Sequence, residues 1–438
     1  MGKFIIKKGV LVEFESLWMH MSLIGGDDEQ RELIKKQYGL EDETRIVIPD
    51  NVIEIGKGAF KHNSIIKEVV IPPSVKVIDE EAFYFCESLQ KIEFSEGLEI
   101  IKKDAFSICQ NLTNLELPRS LKKIESATGG DKIEATVTIP KDARFEGHDE
   151  NGWRNFRNVT IDKDSPYYYY YDGIVYEKAT GAIHFVPQDI EGKVVIKPGV
   201  KTIPPAAFHD CEKLKELVIP DSVSAIGKLA FVRSGITKIT IPDSVKTVGQ
   251  LAFAECKNLE DIAFLPNSIT TLESWTFQGS GIKKLIVPSN ICVIKSFAFS
   301  NCEALEEVVI PDTVEELWQN VFENCKNLKS IFITGNIKEI PIKICKDCKL
   351  LEKVVIGEGI KIIQDGAFYG CKSLTDVSIP EGVTTIYRNA FGKCSNLNEI
   401  VIPSSVTQIH KNAFNKCDLL PANAIPESLI VDKIDKKK

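Results

Sequence analysis

One residue type at one spacing constrains this chain more than anything else in it. The last apolar residue before a usual proline returns at Ile48, Ile71, Phe94, Leu117, Ile139, Ile161, Ile196, Ile219, Ile241, Phe264, Val287, Ile310, Ile333, Ile356, Ile379, Ile402 and Ile425. Between these 17 markers lie 16 intervals, of which twelve are 23 residues, three are 22 and one is 35. A period of this length belongs to units that cannot bury their apolar face alone and must stack. It overrides the length of 438 residues, which would otherwise suggest about three globular domains.

Residues 208–231 show the internal grammar: Phe208 and Cys211, then Leu214, Leu217, Ile219, Pro220, Val223, Ile226, Gly227, Ala230 and Phe231. Leu217 and Ile219 alternate as in a short strand. Pro220 offers no N–H and ends it, and Val223 and Ile226 turn the chain back. The phenylalanine recurs at positions 60, 83, 106, 208, 231, 253, 277, 299, 322, 368, 391 and 414, with Cys345 once in its place. Stacking such units predicts an α/β-type repeat. Its form is a right-handed leucine-rich-repeat solenoid of about 16–17 coils, with a parallel concave sheet and turns or short helical pieces opposite.

The segments IPDSVSAIGKLAF (219–231), IPDSVKTVGQLAFAECKNL (241–259) and IPEGVTTIYRNAFGKCSNL (379–397) resemble the BspA-like, or Treponema pallidum-type, leucine-rich-repeat family. The resemblance covers about residues 45–429. It implies bacterial or protist surface proteins, some of which adhere to host matrix proteins or other cells, and it brings no catalytic residues.

Three segments break the pattern. The 35-residue interval contains Asp172–Tyr176 and Ala182–Val186 around a Gly-containing turn, which predicts a β-hairpin island within about 162–195. The family carries a similar hairpin, and residues 4–12 look like a second copy of its first half. Residues 27–38 predict a short helix, with acids leading and Lys35, Lys36 and Gly39 trailing. Residues 1–44 are therefore expected to cap the solenoid at 45–429, and residues 430–438 to form a frayed tail.

Little in the sequence points to chemistry. Ten of the twelve cysteines stand three residues after the phenylalanine column, which reads as a small buried thiol in a tight turn. Cys345 and Cys348 form a C-x-x-C whose members each fall on a repeat column, so coincidence accounts for the spacing. No Cys/His cluster has zinc spacing and no phosphate-cradling or nucleophile motif occurs, so neither catalysis nor a cofactor or metal is expected. The net charge of −8 argues against nucleic acid as a partner, and no apolar run approaches the ~18 residues of a membrane span. Lys7 and Lys8 interrupt the first apolar stretch and no small-residue cleavage site follows. The chain as written is expected in the cytoplasm, or at the cell surface or secreted if a signal peptide has been removed.

The expected function is binding of a protein or peptide, and three surfaces compete for it. On the concave sheet, residues alternating with the core pair give an outward apolar column that includes Ile286, Val309, Phe332 and Val355, beside a charged column running Lys284, Glu307, Ser330, Lys353 and Asp376. On the convex side, the position two before phenylalanine becomes large and apolar at Leu229, Leu251, Trp275 and Phe297, with Trp318 nearby, a patch through which copies could associate. The third surface is an aromatic island of Trp153, Tyr167, Tyr169 and Tyr171 in and near a run of five tyrosines. An adhesin and a carbohydrate-binding repeat protein are the alternatives, the second resting only on aromatics.

Overall fold

The computed structural model describes residues 3–15, 44–125, 133–146, 156–260, 265–334 and 336–434. The chain forms two compact units, Met1–Asp189 and Ile190–Lys438. Both are stacks of coils on the repeat plan, and each coil has three sides.

The first side is the marker strand. In Glu307–Ile310 and Ser330–Ile333 burial alternates, with Val308, Ile310, Ile331 and Ile333 inward. The strands pair in parallel and in register, Val308 with Ile331 and Ile310 with Ile333. A proline-led turn follows, closed in this coil by the Val314 N–H donating to the Pro311 carbonyl at 3.1 Å.

The second side holds a ladder where the sequence predicts only a turn. Two-residue strands such as Ala225–Ile226 and Thr247–Val248 pair in parallel, Ile226 beside Val248. Val223 is fully buried and Ile226 nearly so; the residues expected to turn the chain back therefore build a second wall of the core.

Of the turns or short helical pieces expected on the third side, the turns are found, which corrects the α/β-type class. Among the described residues the only helical segment is the 3-10 turn Glu427–Leu429. Elsewhere this side is a run of β-turns. In the coil around Phe253, Leu251 and Glu255 have φ of 58° and 57°, and the Ala252 and Ala254 N–H groups donate back three residues at 3.2 Å each. A left-handed residue on each side of the phenylalanine, four positions apart, prevents the i to i−4 bonding of a helix. The alternate N–H groups point to the next coil instead, Leu251 to Ser274 at 3.2 Å, Phe253 to Thr276 at 2.8 Å and Glu255 to Gln278 at 2.7 Å.

Between the walls the phenylalanine rings stack face on. Phe231, Phe253 and Phe277 are fully buried, with centroids 5.0 and 5.5 Å apart, close to the strand spacing of about 4.8 Å. Where Cys345 replaces phenylalanine, Ile344 replaces the preceding alanine and both are fully buried. The large and small residues have exchanged places, so the slot stays filled.

The cysteine column forms a ladder of weak donors. Most of its thiols reach the carbonyl of the core residue one coil earlier: Cys256 to Phe231 at 2.9 Å, Cys302 to Phe277 at 3.1 Å, Cys325 to Phe299 at 3.2 Å, Cys348 to Phe322 at 3.0 Å; Cys211 is placed against the His209 carbonyl at 3.9 Å. Burial pushes the Cys256 thiol up to about 12, and burial likewise raises Cys345 and Cys348. The C-x-x-C is thus two core thiols, not a reactive pair. All twelve cysteines are free. Titration in denaturant without reductant should find close to twelve thiols, and half or fewer would contradict this ladder.

In the unit Met1–Asp189, the strands Lys3–Lys7 and Val10–Glu15 form an antiparallel hairpin that joins the second-side ladder. Leu11 pairs with Ile55, the Phe14 N–H donates to the Ala59 carbonyl at 3.0 Å, and the Phe14 ring lies 5.3 Å from Phe60. The hairpin thus imitates a coil and covers an otherwise unpaired edge. The helix expected at 27–38 lies outside the described residues. Tyr168–Tyr171, Ile174–Glu177 and Ile183–Phe185 form a three-stranded antiparallel sheet, so the tyrosine run supplies a third strand beside the expected hairpin pair.

In the unit Ile190–Lys438, Ile430–Val431 pairs with Gln408–His410, where the sequence suggested the start of a frayed tail. A strand edge left open by the last coil is a better partner for these residues than water.

Candidate functional site

The first-side strands Lys284–Ile286, Glu307–Ile310, Ser330–Ile333, Lys353–Ile356 and Asp376–Ser378 form one five-stranded parallel sheet. Its register aligns Ile286, Val309, Phe332, Val355 and Ser378 across the outer face. Period-2 alternation forces this once Leu285, Val308, Ile331 and Val354 go inward, and all four of those are fully buried. Ile286 is 61% exposed. Val309, Phe332 and Val355 are half-buried, each flanked by the ladder neighbours on both sides. Ala263 of the same column lies outside the described residues, and Val401, one coil past the last strand, is exposed.

Beside this stripe the charges pair up the ladder. Lys284 meets Glu307 at 2.9 Å and Lys353 meets Asp376 at 3.0 Å, with Ser330 between the two pairs. Nearer the start of the unit Glu216 takes Lys193 at 3.0 Å and Lys238 at 3.9 Å, and the Lys193 hydrogen bond holds its carboxyl below the usual carboxylate range. These pairs are exposed and stabilise little. Their effect is to leave the face nearly neutral, with apolar area as its main offer.

The turn side carries the second surface. Leu229, Leu251, Trp275 and Phe297 stand in consecutive coils, all with left-handed φ between 58° and 62°. Trp275 and Phe297 stack at 5.3 Å and 4°, and Trp275 is exposed. Leu229, Leu251 and Phe297 are half-buried. Trp318 is exposed, under Lys295 at 5.9 Å, and is not part of that stack.

The tyrosine run is tied to its own unit. The Tyr168 hydroxyl accepts from the Phe145 N–H at 3.0 Å, and the Tyr170 hydroxyl donates to the Val159 carbonyl at 2.7 Å. Tyr169 and Tyr171 pack on Tyr176 at 5.6 and 6.3 Å. Tyr167 is half-buried beside Arg144, and Trp153 lies outside the described residues.

One column escaped the sequence reading. The residue two after phenylalanine is left-handed in every described coil, and Asn301, Asn324 and Asp347 hold it in succession, with φ of 57°, 61° and 61°. The legible signal was the recurrence of Asn, Asp and Gly at that offset, the residues that tolerate this conformation. Among the described residues no group of three or more His, Cys, Asp or Glu side chains could hold a metal ion, and no helix is long and apolar enough to cross a membrane.

Coils with parallel strand ladders, a stacked aromatic core and, among the described residues, one 3-10 turn as their only helix define a β-solenoid of the leucine-rich-repeat class. The chain belongs to the BspA-type leucine-rich-repeat family, whose six-copy repeat model matches residues 38–144, 188–306, 264–371 and 338–436. No curated protein matches it. Among solved structures, a leucine-rich repeat protein from Bacteroides ovatus is 22% identical over 96% of this chain and 91% of its own, with a TM-score of 0.48. A leucine rich cell surface protein from Faecalibacterium prausnitzii is 21% identical over 96% of this chain and 92% of its own, with a TM-score of 0.40. The leucine-rich repeat protein of T. pallidum is 24% identical, covering 49% of this chain and 82% of its own, with a TM-score of 0.29.

Proposed function

We propose that this protein is a non-catalytic scaffold that binds an extended, apolar protein segment along the outer face of its five-stranded sheet. The observation that carries the reading is the aligned stripe Ile286, Val309, Phe332, Val355. Phe332 sits at its centre, and aromatics at the centre of an apolar strip are the usual hot spots, worth about 2 kcal/mol or more on truncation. The paired charges beside it offer little long-range steering. A reducing compartment, the cytoplasm, belongs to the same reading and is supported by the free thiols. A cell-surface adhesin is the competing setting, and protease shaving of live cells separates the two.

A photo-crosslinking residue at position 309 or 355, used in the native host, captures the partner. With that partner in hand, Phe332→Ala or Ile286→Lys should weaken binding at least tenfold, about 1.4 kcal/mol, with the melting temperature unchanged. Trp275→Ala and the Tyr169→Ala/Tyr171→Ala pair should have little effect. Loss of binding or of an oligomer in Trp275→Ala, with Phe332→Ala unaffected, would move the site to the turn side and make the sheet face structural.

A further inference from the structure

The turn side carries a cleft of about 430 Å³, lined by Trp275 and Phe297 and by polar side chains of their own coils and of the next two. That volume falls within the ~300–1,000 Å³ usual for small-molecule sites. From this cleft we infer a second binding site, for a neutral pyranoside sugar.

Two features point that way. The first is the aromatic end. In the column of Trp275 and Phe297 other coils place small or polar residues such as Gly58, Glu81, Asp104, Lys343 and Asn389, so two adjacent aromatic rings are a departure from the column. The left-handed φ is common to the column, and the aromatic side chains are what these two coils add. Leu229 and Leu251 are apolar members of the same column, but only the two aromatic residues border the cleft.

The second is the polar end. Asn301, Asn324 and Asp347 come from the overlooked left-handed column, and Glu323 and Lys346 stand one residue before two of them. Asn324 donates through Nδ2 to Asn301 Oδ1 at 2.6 Å. This fixes both amides and leaves Asn324 Oδ1 as an acceptor and Asn301 Nδ2 as a donor. Glu323 is neutralised by Lys346 at 2.6 Å and braced by Asn320 at 2.6 Å. The cleft therefore pairs a flat apolar wall with a rim of fixed donors and acceptors. A wholly apolar segment would leave the rim unpaired, and an inorganic anion would make no use of the rings. A pyranoside has an apolar C–H face for the aromatic pair and a fan of hydroxyls for amides and carboxylates.

The site is tested on the full chain by saturation-transfer NMR titration with lactose, maltose and N,N′-diacetylchitobiose as probes. At least one should saturate with a Kd of about 1 mM or tighter. Asn324→Gly, Asp347→Gly and Trp275→Gly should each weaken it about tenfold. Glycine is the right replacement here because it relieves the left-handed strain, so an unchanged or raised melting temperature certifies the fold. Absence of saturable binding by all three probes at about 50 mM, or binding that these variants leave unchanged, would overturn the inference. Phe332→Ala should not affect sugar binding, which keeps this result separate from the fate of the sheet-face reading.

Discussion

Replacing Phe253 by alanine is expected to cost about 3–5 kcal/mol, and to loosen the stack near residue 253 before anywhere else. Phe253 is fully buried, with rings stacked on both sides at 5.0 and 5.5 Å. Its N–H and those of its left-handed neighbours also bond the next coil, so a collapse of the slot would have to bend a backbone already committed to both neighbours. Each coil touches mainly the coils beside it, and loss should fade with distance along the stack. Hydrogen exchange should rise over residues 230–280 more than over 360–410. A uniform rise would show that this unit unfolds all at once.

Gly235→Ala is expected to destabilise by about 3 kcal/mol, the upper end of the range for overpacking. The reason is not a special backbone angle. A Cβ at this position would lie 1.8 Å from the Glu212 carbonyl oxygen, and the same change at Gly281 would meet the Lys257 carbonyl at 2.0 Å. Both glycines follow a serine in the cysteine column, in coils that reach the marker strand with one residue fewer. Phe231 to Ile241 and Phe277 to Val287 each span 10 residues, against 11 from Phe208 to Ile219. The shortened loop crosses directly over the coil before it. The N–H groups of Gly235 and Gly281 hold it there, donating to the Cys211 and Cys256 carbonyls at 3.0 and 3.2 Å. Backbone cannot give way as a flexible side chain can. Chemical denaturation of Gly235→Ala and Gly281→Ala should show matching losses. Gly192→Ala, where a Cβ meets nothing within 4 Å, should lose less and only through its φ of 68°.

Much of the core was legible before any coordinates. The marker column, the phenylalanine column and the cysteine column are inward positions in most of the described coils, because a unit that must stack repeats its buried residues at the same offsets. The outward alternation was legible for the same reason: once Leu285 and Val308 point in, Ile286 and Val309 must point out. The charged ladder followed from that alternation, since Lys284 and Glu307 occupy one column in adjacent strands.

Other features depend on backbone geometry that residue type barely encodes. Leu251, Trp275 and Phe297 are poor candidates for left-handed φ, so nothing at those positions announces the turns that replace helix on the third side. The two-residue strands at Ile226 and Val248 are too short to show a period. The polar cleft beside Trp275 joins side chains from four coils whose separations in the chain exceed any local motif.

The sequence by itself determined the repeat, the identity of the buried columns and the candidate faces, because periodic burial writes itself into residue type. Only the tertiary structure decided which side turns without helix, which apolar residues stay open, and which polar groups meet in one cleft. Those outcomes rest on backbone angles and on contacts between coils, and both are properties of the stack rather than of any single unit.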